Sequence, residues 1–151
     1  MLVKLISKIW KVLPKEVRTF VTRRSQVKFT VSAAGIITNE RGEVLLLNHV
    51  LRPMSGWGVP GGFLNVFEQP EAAFKREVKE ETGLDVTDIN IVRLRTLRRH
   101  IEIMFQAKGI GEATVKTREI TELRWFAIED MPREMSLDQQ FLIRKVLGYA
   151  E

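Results

Sequence analysis

The spacing of hydrophobic and polar residues along the chain predicts four helices and five strands. The strand segments are rich in β-branched residues and are bounded by turn residues; they cover 28–37, 43–47, 89–99, 101–108 and 120–128. The helices are predicted over 1–13, 15–24, 70–82 and 136–147. Strands on both sides of a central helix, with another helix at the end, favour an α/β domain with a mixed sheet between helices.

Turn and cap residues divide these segments. Residues 39–42 form a turn that joins the first two strands into a hairpin, and 48–58 and 110–118 are predicted loops. Pro70 suits the first turn of the central helix, since its missing N–H would have no partner there. Gly83 suits the end of that helix, and Ser136 is the expected N-cap of the last one.

The first 25 residues are predicted to form a basic amphipathic helical extension ahead of a domain at 26–151. Pro14 separates its two helices, and Val17, Phe20 and Val21 supply the apolar side of the second. The first helix has one apolar stripe, with lysines on the opposite side. The stripe consists of Leu2, Leu5, Ile6, Ile9, Trp10 and Leu13, and the lysines are Lys4, Lys8 and Lys11. We favour docking of the stripe on its own domain or on a second subunit, as in a homodimer. Two alternatives stay open: contact with an anionic membrane surface through Met1 to Arg24, and a mobile extension.

Charge is concentrated in this extension. The chain has 24 basic and 19 acidic residues. Eight basic residues and one acidic residue lie in the first 28, so that segment has a net charge of +7. The remaining 16 basic and 18 acidic residues give the rest of the chain a net charge of −2. A broad nucleic-acid-binding face on the main domain is therefore not expected. Without cysteine the chain has neither disulfides nor a thiolate metal site, which fits the cytoplasm. No apolar run approaches the ~20 residues of a membrane span, and lysines interrupt every candidate signal-peptide core.

Three carboxylates share one face of the central helix. Glu77, Glu80 and Glu81 stand at i, i+3 and i+4. Like charges at this spacing destabilise a helix unless something compensates them, and Mg²⁺ is a natural compensating ion because it takes carboxylate and phosphate oxygens. A solvated acidic face is the simpler interpretation of these three residues alone.

The wider pattern resembles the Nudix box. Gly62 is followed after five residues by Glu68, and after seven more by Arg76-Glu77-Val78-Lys79-Glu80-Glu81-Thr82-Gly83-Leu84. The segment before it, Trp57-Gly58-Val59-Pro60-Gly61-Gly62, is also similar to that family. The resemblance implies a Nudix-type α/β/α sandwich and metal-dependent hydrolysis of a phosphoanhydride bond, with Mg²⁺ or Mn²⁺ as cofactor.

The resemblance also implies roles for residues of the box. Glu80 and Glu81 are expected metal ligands, and Glu77 is a ligand or the base that activates water. Arg76 is expected to orient these glutamates by paired hydrogen bonds. The backbone carbonyl of Gly61 is a further candidate ligand.

Residues around the box complete the predicted site. Gly62, Glu68 and Gly83 have structural roles, with Glu68 closing the loop or joining the outer metal shell. Glu119 is a weaker catalytic candidate, with Glu122 or Glu112 as substitutes. The residues expected to contact phosphates, ribose or a base are Arg52, Trp57, Phe63, Arg98 and Arg99.

The expected substrate is a nucleoside diphosphate linked to another moiety, of the ADP-ribose or nucleotide-sugar type. The segment between Asp85 and Ile110 contains neither proline nor tyrosine, so it lacks the family's more specific substrate marks. Two alternatives are a pyrophosphatase that removes unwanted nucleoside triphosphates, and a non-catalytic module that binds nucleotides or docks on membranes.

Overall fold

The computed structural model describes residues 2–52 and 55–149, without the side chains of residues 2, 3 and 5. Its helices are α1 (Leu2–Val12), α2 (Lys15–Ser25), α3 (Pro70–Thr82) and α4 (Leu137–Val146). Its strands are β1 (Thr30–Thr38), β2 (Val44–His49), β3 (Trp57–Gly58), β4 (Gly61–Phe63), β5 (Asp85–Leu97), β6 (His100–Ile110) and β7 (Ile120–Phe126). None of the described helices is long and apolar enough to cross a membrane.

The seven strands form one mixed sheet. Along its main path the order is β3-β2-β1-β6-β5, while β4 pairs with β1 and β7 pairs with β2. Among the described strands only the β1–β6 pairing is parallel, with Thr30 opposite His100 and Thr38 opposite Lys108. Because β4 lies antiparallel to β1, with Gly61 opposite Ala34, the start of the box is fixed against the centre of the sheet.

Each face of the sheet carries a hydrophobic core under one helix. On the α3 side, Phe74 stacks on Phe105 at 5.1 Å between ring centroids, and Val78 packs in the same core. On the opposite side, Leu142 and Ile143 of α4 pack with strand residues such as Met104. The predicted α/β/α sandwich with a mixed sheet is confirmed.

The predicted ends of the elements need several corrections. The third predicted strand begins at Asp85, four residues early, and the last ends at Phe126, ahead of a 3-10 turn at Ile128–Asp130. The predicted 48–58 loop contains the end of β2 and all of β3. Ser136 is at the N-cap of α4, but its side chain makes no capping hydrogen bond there.

The ends of α3 agree with the prediction, and the two N-terminal helices are also formed. Pro70 opens α3, and Gly83 ends it with a φ of 76° and an N–H that donates to Lys79 O. Helices α1 and α2 are present. Of the described stripe residues, Leu13 is half-buried, but Ile6, Ile9 and Trp10 are exposed, so the domain does not cover these three side chains. Docking on a second subunit stays a prediction. The Leu2 and Leu5 side chains lie outside the described residues.

Candidate active site

The backbone of strand β4 lies against glutamate side chains of helix α3. The Gly61 N–H donates to Glu81 Oε2 at 3.0 Å, which ties the last turn of α3 to the start of the box. A Cβ on Gly62 would overlap the carboxylate of Glu77, so glycine at this position leaves room for the Glu77 side chain where it lies. These two contacts place the carboxylates of Glu77 and Glu81 at the edge of β4.

The Arg76 guanidinium binds three glutamates at once. Its Nε and Nη2 donate to Glu68 Oε1 and Oε2 at 2.8 and 2.9 Å, a bidentate pair. Its Nη1 donates to Glu77 Oε1 at 2.8 Å and to Glu80 Oε2 at 3.2 Å. Nη2 also donates to Phe63 O at 3.1 Å. Arg76 thus links the loop before α3 to two carboxylates of the helix, in the orienting position expected of it.

The Arg76–Glu68 pair shifts both protonation equilibria toward the charged forms. Hydrogen bonds from Arg76 and from the Asn65 N–H lower the pKa of Glu68 to about 2. Hydrogen bonding to Glu68, and then to Glu77, raises the pKa of Arg76. Glu68 thus joins the loop at Asn65 to Arg76 of α3, and both roles proposed for it from the sequence stay predictions.

We expect Glu68→Gln to lose less stability at low pH than at neutral pH. With a pKa near 2 when folded and an ordinary value of 4.5 when unfolded, Glu68 stabilises the fold above pH 4.5. That contribution disappears as the pH falls toward 2, because only the unfolded chain takes up a proton in this window. Urea unfolding of both proteins across that range should show their stabilities converging. A constant difference would contradict the assignment.

Glu81 is buried among other charged groups. Burial raises the pKa of Glu81 to about 7, and the carboxylates of Glu77 and Glu119 act in the same direction, against the Gly61 N–H and Arg52. His49 Nδ1 lies 3.9 Å from Glu81 Oε1. Burial, followed by the charge of Arg52, lowers the pKa of His49 to about 4, so this contact is not an ion pair at neutral pH. The sequence analysis did not include His49 in the site.

The donor set fits a divalent cation. Glu77 Oε1 and Glu80 Oε2 converge on the same nitrogen, Arg76 Nη1, so these two carboxylates already share one positive group. Burial is the main cause of the raised pKa of Glu81, and the negative charges of Glu77 and Glu119 add to it, so a bound cation would favour the charged carboxylate. Within the described ranges, no three acidic or histidine side chains are already gathered around one point. Ligation of one ion by all three glutamates would therefore require side-chain rotation.

The loop after β6 lies against the end of α3. The Lys116 N–H donates to Glu81 O at 3.1 Å, and the Thr114 N–H donates to Thr82 O at 2.9 Å. Glu119 is exposed, yet its carboxylate is close enough to raise the pKa of Glu81. Of the three acidic candidates outside the box, Glu119 is thus the one with a described influence on the site. Glu122 lies on β7, 3.8 Å from Arg124, and Glu112 is exposed in the loop.

A cleft of about 640 Å³ lies between the end of β2 and the start of α4. Arg52 and Trp57, two predicted substrate residues, line it together with Ser55, Ser136 and Gln139, which the sequence analysis missed. Arg52 Nη1 and Gln139 Oε1 are buried and have no hydrogen-bond partner among the described residues. Trp57 packs edge-on against Phe126 at 5.1 Å, so it also belongs to the core.

The other predicted substrate residues lie outside this cleft. Phe63 is exposed and packs edge-on against His100, whose ring nitrogens are hydrogen-bonded to the Thr30 and Ser32 hydroxyls. Arg98 and Arg99 are exposed in the turn between β5 and β6, and the Arg99 carbonyl accepts the Thr30 N–H. The structure does not bring either arginine to the carboxylates of α3.

Comparison with known proteins agrees with this geometry. The model of the NUDIX domain family matches residues 28–146. A MutT-like protein of Streptomyces ambofaciens is 32% identical over 110 residues, 71% of this chain and 70% of the relative. An ADP-ribose pyrophosphatase of Methanocaldococcus jannaschii is 30% identical over 126 residues, 79% and 73% of the two chains. The crystal structure of a MutT NUDIX hydrolase from Burkholderia pseudomallei superimposes with a TM-score of 0.70 at 24% identity, covering 79% of this chain and 98% of that one.

The fold and the carboxylate-lined helix define a hydrolase of phosphoanhydride bonds. The chain belongs to the Nudix family, whose hydrolases generally use divalent metal ions.

Proposed function

We propose that this enzyme hydrolyses the phosphoanhydride of a nucleoside diphosphate linked to another moiety, with ADP-ribose or a nucleotide sugar as the substrate class. The observation that carries the proposal is that one arginine, Arg52, belongs to the cleft and also acts electrostatically on a carboxylate of α3. Arg52 lines the cleft, and its charge also lowers the pKa of Glu81. A substrate held by Arg52 would therefore have its phosphates next to the glutamates. The ADP-ribose pyrophosphatase among the relatives supports the choice of class.

The proposed ligands are Glu77, Glu80 and Glu81, with the Gly61 carbonyl as a further donor, and Mg²⁺ or Mn²⁺ as the ion. When bound, such an ion neutralises phosphate oxygens and lowers the pKa of a coordinated water. Arg76 keeps Glu77 and Glu80 oriented through its Nη1, while Glu68 and Phe63 O fix the guanidinium. Glu77 is the proposed ligand or base, and Glu119 a further acidic group at the site.

Recognition of the rest of the substrate is proposed for the cleft. Trp57 presents an aromatic surface, and base–aromatic stacking is favourable for any base. Among the described residues Arg52 Nη1 has no acceptor and Gln139 Oε1 no donor, so the arginine can donate to a phosphate or ribose oxygen and the glutamine can accept from a ribose hydroxyl. Leaving such buried groups unpaired is costly, which favours a polar ligand at this position.

We expect Mg²⁺-dependent release of a nucleoside monophosphate from ADP-ribose or a nucleotide sugar. The test is a substrate panel that also contains nucleoside triphosphates and dinucleoside polyphosphates, assayed with and without a chelator. Cleavage of nucleoside triphosphates alone would contradict the proposed substrate class and identify the enzyme as a nucleoside triphosphate pyrophosphatase. Nucleotide binding without cleavage of any compound would instead identify a non-catalytic binding module. An Arg52→Gln variant should raise KM more than it lowers kcat if the cleft binds substrate as proposed.

A further inference from the structure

The two N-terminal helices leave a broad apolar surface uncovered. On α1, Ile6 and Ile9 are 55% and 51% exposed, and Lys4, Lys8 and Lys11 occupy the opposite side of the helix. On α2, Phe20 and Val21 are also exposed, and no residue of that helix is buried. Exposed apolar side chains in this number indicate a surface that is covered by something else.

One end of the sheet, where α2 joins the domain, carries further exposed apolar and basic side chains. Helix α2 joins the domain just before Thr30, where β1 begins. Two connections flank these first residues of β1: the Leu64 N–H donates to Val31 O, and the Thr30 N–H donates to Arg99 O, both at 3.0 Å. The first connection carries Val66 and Phe67, and the second carries Leu97, Arg98 and Arg99. Phe67 is 100% exposed and adopts a positive φ of 66°, a conformation unusual for a bulky residue.

We propose that this surface, formed by α1, α2, residues 66–67 and residues 97–99, docks on an anionic lipid bilayer. We call it the docking surface. It combines exposed Ile, Trp, Val and Phe side chains with basic residues, the combination by which amphipathic helices bind at the surface of anionic membranes. The proposal does not depend on which nucleotide the enzyme hydrolyses.

Charge distinguishes a bilayer from a second copy of the chain. The first 28 residues carry eight basic residues and one acid, Glu16, and Arg98 and Arg99 raise the basic total to ten. Pairing two such surfaces would place like charges together, whereas anionic headgroups would neutralise them. A basic surface lined with exposed apolar residues therefore fits lipid better than its own copy.

A groove between α1 and α2 offers a place for a headgroup phosphate. It has a volume of about 430 Å³ and is lined by Trp10, Lys15, Arg18, Thr19, Thr22 and Arg23. Arg18 Nε is buried there and has no hydrogen-bond partner among the described residues. On this proposal Arg98 and Arg99 also contact headgroups, which accounts for their position away from the catalytic carboxylates.

The experiment is flotation of the full chain with phosphatidylcholine vesicles and with vesicles that also contain phosphatidylglycerol. We expect flotation only with phosphatidylglycerol present, and less at high salt. The double variant I6Q/I9Q should lower the partition coefficient roughly tenfold or more, since two lipid-buried aliphatic side chains become polar. R98N/R99Q should lower the partition coefficient several-fold by removing two charges. Phe67→Asn should also lower it, because it removes an exposed aromatic ring. Asparagine is used at 67 and 98 because it tolerates the positive φ at both positions.

The matched control is I110Q/V115Q. Ile110 is 51% exposed, like Ile9. It lies at the end of β6, whereas His100, which pairs with Thr30, lies at the start of that strand, so Ile110 is away from the docking surface. The I110Q/V115Q variant should float like the wild-type protein. Thermal unfolding should confirm that every variant folds. Wild-type protein that fails to float with phosphatidylglycerol would overturn the proposal, as would I6Q/I9Q floating normally. A dimer in solution that I6Q/I9Q dissociates, with no flotation of either protein, would assign the surface to a second copy instead.

Discussion

Glu80→Gln should abolish most metal-dependent turnover while leaving the fold intact. The Glu80 side chain is 60% exposed, and the one ion pair described for it is the 3.2 Å contact with Arg76 Nη1, so neutralising it costs little stability. Loss of a proposed metal ligand should reduce kcat by at least roughly 10²-fold, since even residues behind the ligands change metal affinity or activity by 10–100-fold. The measurement is steady-state hydrolysis at saturating Mg²⁺, together with the urea unfolding midpoint.

Glu71→Gln is the control for this prediction. Glu71 lies on the same helix, is 55% exposed and forms an i,i+4 ion pair with Lys75, so the substitution removes the same charge from a similar environment. We expect unchanged turnover in Glu71→Gln. Near-normal turnover in Glu80→Gln would rule out the metal role, and equal losses in the two variants would indicate a general effect of helix charge.

Gly61→Ala should destabilise the protein strongly. Gly61 has a φ of +145°, and a Cβ there would collide with Ala33 O and Ala34 Cα. Both groups belong to β1 at the centre of the sheet, so they cannot move aside as a flexible side chain could. Backbone strain and overpacking together should cost roughly 3 kcal/mol or more of the free energy of unfolding.

Gly42→Ala separates the two causes. Gly42 also has a positive φ, 76°, but nothing lies within 4 Å of the position of its Cβ. We therefore expect a loss of only about 1 kcal/mol from backbone strain. Chemical denaturation of both variants gives the comparison. Similar losses in the two would mean that the close approach of β4 to β1 contributes little to stability.

Local signals in the sequence predicted the helix of the box well. Pro70 and Gly83 act on their own turns, and the i, i+3, i+4 spacing of the glutamates follows from helix geometry alone. The start of β5 was missed for a physical reason. Register shifts between Thr87 and Asn90, and between Ile91 and Arg93, interrupt the alternation by which a strand is found in a sequence.

Contacts between distant segments were beyond prediction from such patterns. His49 reaches Glu81 from the end of β2, and Gln139 reaches the cleft from α4. Neither residue lies in a sequence pattern of its own, since each acquires its surroundings only when the sheet and helices assemble. Arg98 and Arg99 show the converse: a basic pair near the box in sequence lies at a strand turn away from it.

In the ion-free enzyme, Glu77 and Glu80 both accept a hydrogen bond from Arg76 Nη1. Because Arg76 already offsets repulsion between these side chains, we expect the protein to fold without a bound ion. Dialysis against EDTA should leave its melting temperature nearly unchanged. An arriving cation can use the second oxygens of the same two carboxylates, so ion affinity depends on the orientation that Arg76 gives them.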